Sequence, residues 1–193
     1  MRMLRLIEFL SLDGVMQAPG DPEEDTEGGF QHGGWQRPYF DDVLGATAAE
    51  GMAATDSYLF GRKTYEKMAA YWPTVSDDDP FARHLNSTQK YVASRTLQTV
   101  EWQNSTLIEG DVVEEVARLK EQPGRNIAVL GSGRLAQRLI EHDLVDEYFL
   151  AVYPILLGSG KRLFSESEHV RRLSLVDSTT TSTGGVLLTY RRA

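Results

Sequence analysis

Three turns in this 193-residue chain combine small, hydroxyl and cationic side chains in patterns that suit phosphate. The first, Phe60-Gly61-Arg62-Lys63-Thr64-Tyr65-Glu66, ends an apolar run in glycine, which lets a ligand approach the backbone, and then opens a helix. The first N–H groups of such a helix have no partners of their own, and Arg62, Lys63 and the Thr64 hydroxyl stand beside them. A plain turn with a threonine cap uses the same residues equally well. In the second, Ser94-Arg95-Thr96, two hydroxyls flank a guanidinium that can hold a phosphate monoester through charge-assisted hydrogen bonds. The third, Gly131-Ser132-Gly133-Arg134-Leu135-Ala136, follows a strand and matches G-x-G-x-x-G/A, a pyrophosphate-binding turn or a turn for close helix–sheet packing.

Neighbouring patterns fail in informative ways. A Rossmann unit needs an acid at the carboxyl end of its second strand, whereas Asp146 and Glu147 stand at the start of theirs. Gly158-Ser159-Gly160-Lys161-Arg162 resembles a P-loop superficially, yet Ile155 replaces its first glycine and Arg162 its magnesium-binding hydroxyl. Nucleoside triphosphate hydrolysis is therefore rejected, and the turn is left as a ligand-lining loop or a simple connector. The four histidines stand apart, cysteine is absent and no G-x-S-x-G elbow occurs. Thiolate metal sites, disulfides and a cysteine nucleophile are excluded, a serine triad is unsupported, and no metal is expected.

The net charge is −8, from 28 acidic and 20 basic residues. Five carboxylates fall in residues 21–27 and three more are Asp77, Asp78 and Asp79, which together equal the whole excess. Nucleic acid is not an expected partner of so acidic a chain, while a small anionic ligand remains compatible with its local basic turns. No run reaches the roughly 18 apolar residues of a membrane span, and Glu8 and Asp13 break up the apolar N-terminus. A cytoplasmic protein acting on a small molecule is expected.

These turns need elements to place them. Residues 3–10 read as a buried strand ended by the Asp13-Gly14 turn. Residues 19–38, rich in Gly, Pro and acid around Phe30 and Trp35, read as a binding loop or a surface insertion. Helical spacing follows over residues 40–52 and 62–70, with a strand at 58–60 between them. Asp77-Asp78-Asp79-Pro80 reads as a solvated loop or helix entry. Strands are expected at 90–94, 105–108, 126–130 and 146–153, and helices at 111–120 and 134–141. The last 25 residues alternate around Gly184-Gly185, a hairpin whose Val186, Leu187 and Leu188 are expected at an apolar edge. The pattern predicts one α/β domain over residues 1–193, its sheet mostly parallel with an antiparallel end.

In order, Ser11-Leu12-Asp13-Gly14, the Gly61 turn, Ser94-Arg95-Thr96, the Gly131 turn and the stretch from Leu144 through Gly160 resemble the dihydrofolate reductase-like superfamily. Within it they are most similar to the C-terminal reductase domain of the bacterial riboflavin-synthesis deaminase/reductase. The resemblance covers nearly the whole chain. It implies a sheet of about eight strands flanked by helices, with NADPH across their carboxyl ends. Gly61, Arg62, Lys63 and Thr64, with Gly131, Ser132, Gly133, Arg134 and Leu135, would hold the pyrophosphate, and Ser94, Arg95 and Thr96 the adenosine 2′-phosphate. A carboxylate at the start of the first long helix, after a loop tryptophan, would face the substrate, which points to Asp41 and Trp35, with Asp13 as the other candidate acid. Helix-start charge and an Asp-Gly turn account for the same two acids. The implied activity is reduction of a small carbonyl, imine or heterocycle, such as a ribosylaminopyrimidine, by a homodimer. A nucleotide-binding or sensing protein without turnover is the alternative. The acidic loop departs from the folate enzyme's short one, and the absence of cysteine removes the zinc deaminase function.

Overall fold

The computed structural model describes residues 1–166 and 169–193. The chain runs β1 (Leu4–Ser11), α1 (Asp42–Ala53), β2 (Thr55–Gly61), α2 (Arg62–Tyr71), α3 (Pro80–Ser87), β3 (Gln89–Ala93) and β4 (Ser105–Ile108). It continues through α4 (Val112–Glu121), β5 (Asn126–Leu130), α5 (Gly133–Glu141), β6 (Glu147–Tyr153), β7 (Leu173–Thr180) and β8 (Val186–Arg192).

Alternation along β1 sets up the two faces of the sheet. Leu4, Leu6 and Leu10 pack with Val116 and Leu119 of α4 and with Leu135, Ala136 and Leu139 of α5. Ile7 and Phe9 point the other way, toward clusters that hold Leu44 of α1, Tyr65 of α2 and Leu85 of α3. The strand order is β4-β3-β2-β5-β1-β6-β8-β7. Every pairing from β4 to β6 is parallel, and β8 pairs antiparallel with both β6 and β7. This is the expected α/β sheet of eight strands. Its parallel strands present their carboxyl ends along one rim, where Gly61 lies opposite Ala93, Ile7 opposite Leu130 and Ser11 opposite Tyr153.

Several local expectations resolve or change. Asp79 accepts hydrogen bonds from Phe81 N and Ala82 N, so the Asp-Pro run is a helix entry. Val186, Leu187 and Leu188 lie in β8, between β6 and β7, with Leu187 buried. They therefore form no edge. The outer strand is β7, which exposes Leu175 and Val176 and carries an irregular register between Leu175 and Asp177. Residues 19–38 are not structureless: short 3-10 turns form at Glu27–Gly29 and Arg37–Tyr39, while Phe30 and Trp35 are buried. The loop closes at its base, where Gly34 N donates to Ala18 O at 2.8 Å. At Gly33 a Cβ would fall 2.4 Å from the Pro22 carbonyl oxygen, so only glycine lets the chain fold back there. Among the described residues no helix is long and apolar enough to cross a membrane.

Candidate active site

Two of the glycine turns are fused by one hydroxyl. Ser132 has φ +68, an uncommon conformation for a side-chain-bearing residue, and follows Gly131 at φ +60. Its Oγ accepts the Gly61 N–H at 2.8 Å and donates to Thr64 Oγ1 at 2.7 Å. A Cβ on Gly61 would meet the Ser132 side chain at 3.2 Å, tight enough to press the turns apart. The ends of β2 and β5 and the starts of α2 and α5 thus converge.

The five helix starts divide into two kinds. α1, α3 and α4 begin at Asp41, Asp79 and Asp111, each of which accepts hydrogen bonds from N–H groups of the first turn. α2 and α5 begin at Gly61 and Ser132 with no side-chain cap. Those two helices meet at the rim, and with no aspartate there their first N–H groups stay open to an anion. Gly133 opens α5, Arg134 is exposed, and Leu135 is buried in the core, so Leu135 can offer a ligand only its backbone.

The cations around these turns differ in their partners. Arg62 pairs with Glu66 at 3.2 Å, while Lys63 reaches Glu27 in the acidic loop at 2.8 Å. Arg95 and Arg134 are exposed and have no hydrogen-bond or ion-pair partner among the described residues. Beside Arg95, Ser94 Oγ accepts from Thr96 N at 3.1 Å and Leu97 N at 3.0 Å, which shapes the turn after β3 and leaves the guanidinium outside it.

The three expected substrate-side residues are firmly engaged. Asp13 accepts from Ser11 Oγ at 2.7 Å, Leu157 N at 3.1 Å and Gly158 N at 2.8 Å. The Ser11 bond first, then the Leu157 amide, hold its carboxyl at about 2. Asp41 accepts from Leu44 N at 3.0 Å and from both Ser182 N and Ser182 Oγ at 2.7 Å, and the Leu44 and Ser182 bonds lower its pKa. Both acids are ionised at neutral pH and bind protein donors. Trp35 is buried, donates through Nε1 to Gln17 O at 2.8 Å and meets Tyr153 edge-on at 6.0 Å.

Two carboxyls that sequence reasoning passed over behave in the opposite way. Glu8 is 3% exposed and its Oε1 has no hydrogen-bond partner. Burial pushes its pKa well above the carboxylate range, and the charge of Glu24 adds to the rise. Glu24 is itself raised, chiefly by burial, although it accepts from Gly20 N at 2.7 Å. Glu8 had a sequence signal: an acid at an inward position between Leu6 and Leu10. Glu24 had none, since it is one carboxylate in a run of five.

A cavity of about 730 Å³ opens between α2 and the segment near Trp102. Its lining includes Glu66, Asp77 and Glu101, the wrong sign for phosphate, and does not include Gly61, Thr64 or Ser132. No cluster able to hold a metal ion occurs among the described residues.

Comparison with known proteins agrees with this architecture. The RibD C-terminal domain model matches residues 2–187. The uncharacterized protein YyaP of Bacillus subtilis (strain 168) is 35% identical over 138 residues, 70% of this chain and 73% of that one. A crystal structure of a putative riboflavin biosynthesis protein from Shewanella sp. PV-4 superposes with a TM-score of 0.70 at 24% identity, covering 99% of each chain. Dihydrofolate reductase from Enterococcus faecalis, complexed with NADP(H) and RAB-propyl, gives 0.62 at 14% identity over 98% of this chain and 96% of its own. The fold is dihydrofolate reductase-like, and with nearly its whole length matched the chain belongs to the RibD C-terminal domain family.

Proposed function

We propose that this protein is an NADPH-dependent reductase of a small heterocyclic, carbonyl or imine substrate, of the pyrimidine-reducing type associated with riboflavin synthesis. The observation that carries the reading is the pair of uncapped helix starts, α2 and α5, joined through Ser132 while the other three helices are capped by aspartate. That arrangement fits a dinucleotide pyrophosphate, whose charge is met by N–H groups and helix dipoles. Arg95, just after β3 and without a partner among the described residues, fits the adenosine 2′-phosphate.

Bound NADPH would supply the hydride, and the chain supplies position and protons. Asp13 holds the turn at Leu157 and Gly158 against the end of β1, and Asp41 holds the hairpin turn at Ser182 against α1. In this reading both acids shape the substrate side of the rim as positioning residues. Glu8 and Glu24 are the carboxyls whose pKa burial raises, so they hold a proton to higher pH than an exposed acid does. The protein works in the cytoplasm, without nucleic acid, and two copies pair through the exposed strand β7.

A second reading, nucleotide binding without turnover, is favoured by the engagement of both Asp13 and Asp41. The two separate on one experiment. Thermal shift with NADPH, NADH, FMN and ATP, followed by NADPH oxidation with pterin, ribosylaminopyrimidine and quinone acceptors, should show selective NADPH stabilisation and turnover. Stabilisation without turnover supports the sensing protein, and a shift with ATP or FMN but none with NADPH rejects the reductase.

A further inference from the structure

The acidic loop lies against the cations at the rim. Glu27 Oε2 accepts from Lys63 Nζ at 2.8 Å and from Lys161 Nζ at 2.5 Å, so one oxygen bridges two ammonium groups from distant parts of the chain. Lys63 lies in the first turn of α2 next to Thr64, the residue bonded to Ser132. Lys161 follows the Gly158 turn and also contacts Asp25. Lys161 is fixed in turn: its backbone accepts from Met16 N at 2.8 Å and donates to Gln17 Oε1 at 3.0 Å. Two cations thus converge on a carboxylate beside the fused turns of α2 and α5.

We propose that Lys63 and Lys161 form a phosphate-binding pair whose place is held by Glu27, making residues 21–27 a latch that a phosphate-bearing ligand displaces. The inference rests on the reductase reading for the position of the site, and it adds a ligand group and a competitor within the chain.

The attachments of the segment suit displacement. Its backbone hydrogen bonds are local, Glu24 N to Asp21 O and Gly29 N to Thr26 O, and it adds no strand to the sheet. Side chains from its surroundings hold it instead. Gln17 Nε2 donates to Asp25 O at 3.0 Å and Glu27 O at 2.9 Å, and Lys67 Nζ donates to Glu23 O at 2.8 Å. The Lys63, Glu27 and Lys161 side chains are 58%, 48% and 39% exposed, so water and salt compete for these pairs. A phosphate brings more charge and more acceptor oxygens to the same ammonium groups. The base of the loop stays behind, because Trp35 is anchored to Gln17 and Gly34 to Ala18. Release would also carry the five carboxylates of residues 21–27 away from an incoming anion.

The phosphate has two possible sources, the dinucleotide or a phosphorylated substrate. The full-length protein is digested with a glutamate-specific protease, and cleavage after Glu23 is followed by mass spectrometry without ligand, with NADPH and with ribose 5-phosphate. Release should raise that cleavage about five-fold in the arm whose ligand takes the site. Glu27→Gln should cleave faster without ligand and bind that ligand about three- to ten-fold more tightly at low salt, the gain fading near ~0.5 M salt. Lys161→Met should also free the loop, but without tighter binding, since it removes half of the receiving pair. Unchanged cleavage in both arms, with wild-type affinity in Glu27→Gln, overturns the latch. NADPH that fails to shift the melting point rejects the reductase reading, and the ribose 5-phosphate arm then decides the latch: release supports it and no release overturns it.

Discussion

The hydroxyl of Ser132 donates to Thr64 Oγ1 across 2.7 Å, tying the turn after β5 to the first turn of α2. The same oxygen receives the Gly61 N–H, so Ser132→Ala removes two bonds and leaves a backbone donor without its partner. Such a loss costs about 1–3 kcal/mol. Urea unfolding should show that drop, and titration should show NADPH affinity falling about ten-fold. Ser132→Gly, which relaxes the backbone at φ +68, should recover part of the stability and little of the affinity. Wild-type affinity in both variants would remove the fused turns from cofactor binding.

Arg95→Ala tests cofactor choice. A charge-assisted bond to the 2′-phosphate contributes about 1.5–3 kcal/mol, so NADPH should weaken about ten- to one-hundred-fold while NADH changes little. Equal losses for both cofactors would exclude this role for Arg95.

Glu8→Gln should alter the pH dependence of stability in a defined direction. Burial raises the folded-state pKa of Glu8 well above its ordinary 4.5. Between those two values the folded protein keeps a proton that the unfolded chain has released, so this group makes stability fall as pH rises, by up to about 1.4 kcal/mol per pH unit. Removing it should flatten the curve. The melting point of Glu8→Gln relative to wild type should climb as pH rises above about 4.5, and a constant difference would show that Glu8 is not a buried titrating group.

Asp13→Asn should act at the other end of the scale. Its carboxyl is held at about 2 by the Ser11 hydroxyl and by the amides of Leu157 and Gly158, so its stabilising effect is complete above the ordinary aspartate range and is lost as pH falls toward that value. Wild type should melt higher than the variant at pH 7, and the gap should close near pH 2. Parallel curves across that interval would mean that the hydrogen bonds, and not the charge, supply the effect.

Much of this architecture was legible along the chain because its causes are local. Alternation around Leu4, Leu6 and Leu10 marks β1, and Asp111 and the Gly131 turn mark helix starts. The hidden parts depend on distant partners. Asp41 is claimed by Ser182 and Asp13 by Gly158, each more than a hundred residues away, so spacing cannot separate a structural acid from a reacting one. Periodicity also cannot tell which strand of a hairpin faces out, and Val186, Leu187 and Leu188 prove to be interior. The opposite sign of Glu27 and Lys161 is visible in sequence, but their pairing is not.

The self-closing loop has an evolutionary consequence. Its base is settled by the Ala18–Gly34 bond and the Trp35 anchor, so its middle can lengthen, shorten or change composition without disturbing a strand. Doubling the length of such a loop adds only about 0.6 kcal/mol of closure entropy. In the proposed reading a lineage can therefore vary residues 23–27 while Phe30, Gly33, the sheet and the two fused turns keep their places. If the loop faces the substrate as proposed, exchanging this segment between relatives changes specificity on an unchanged frame.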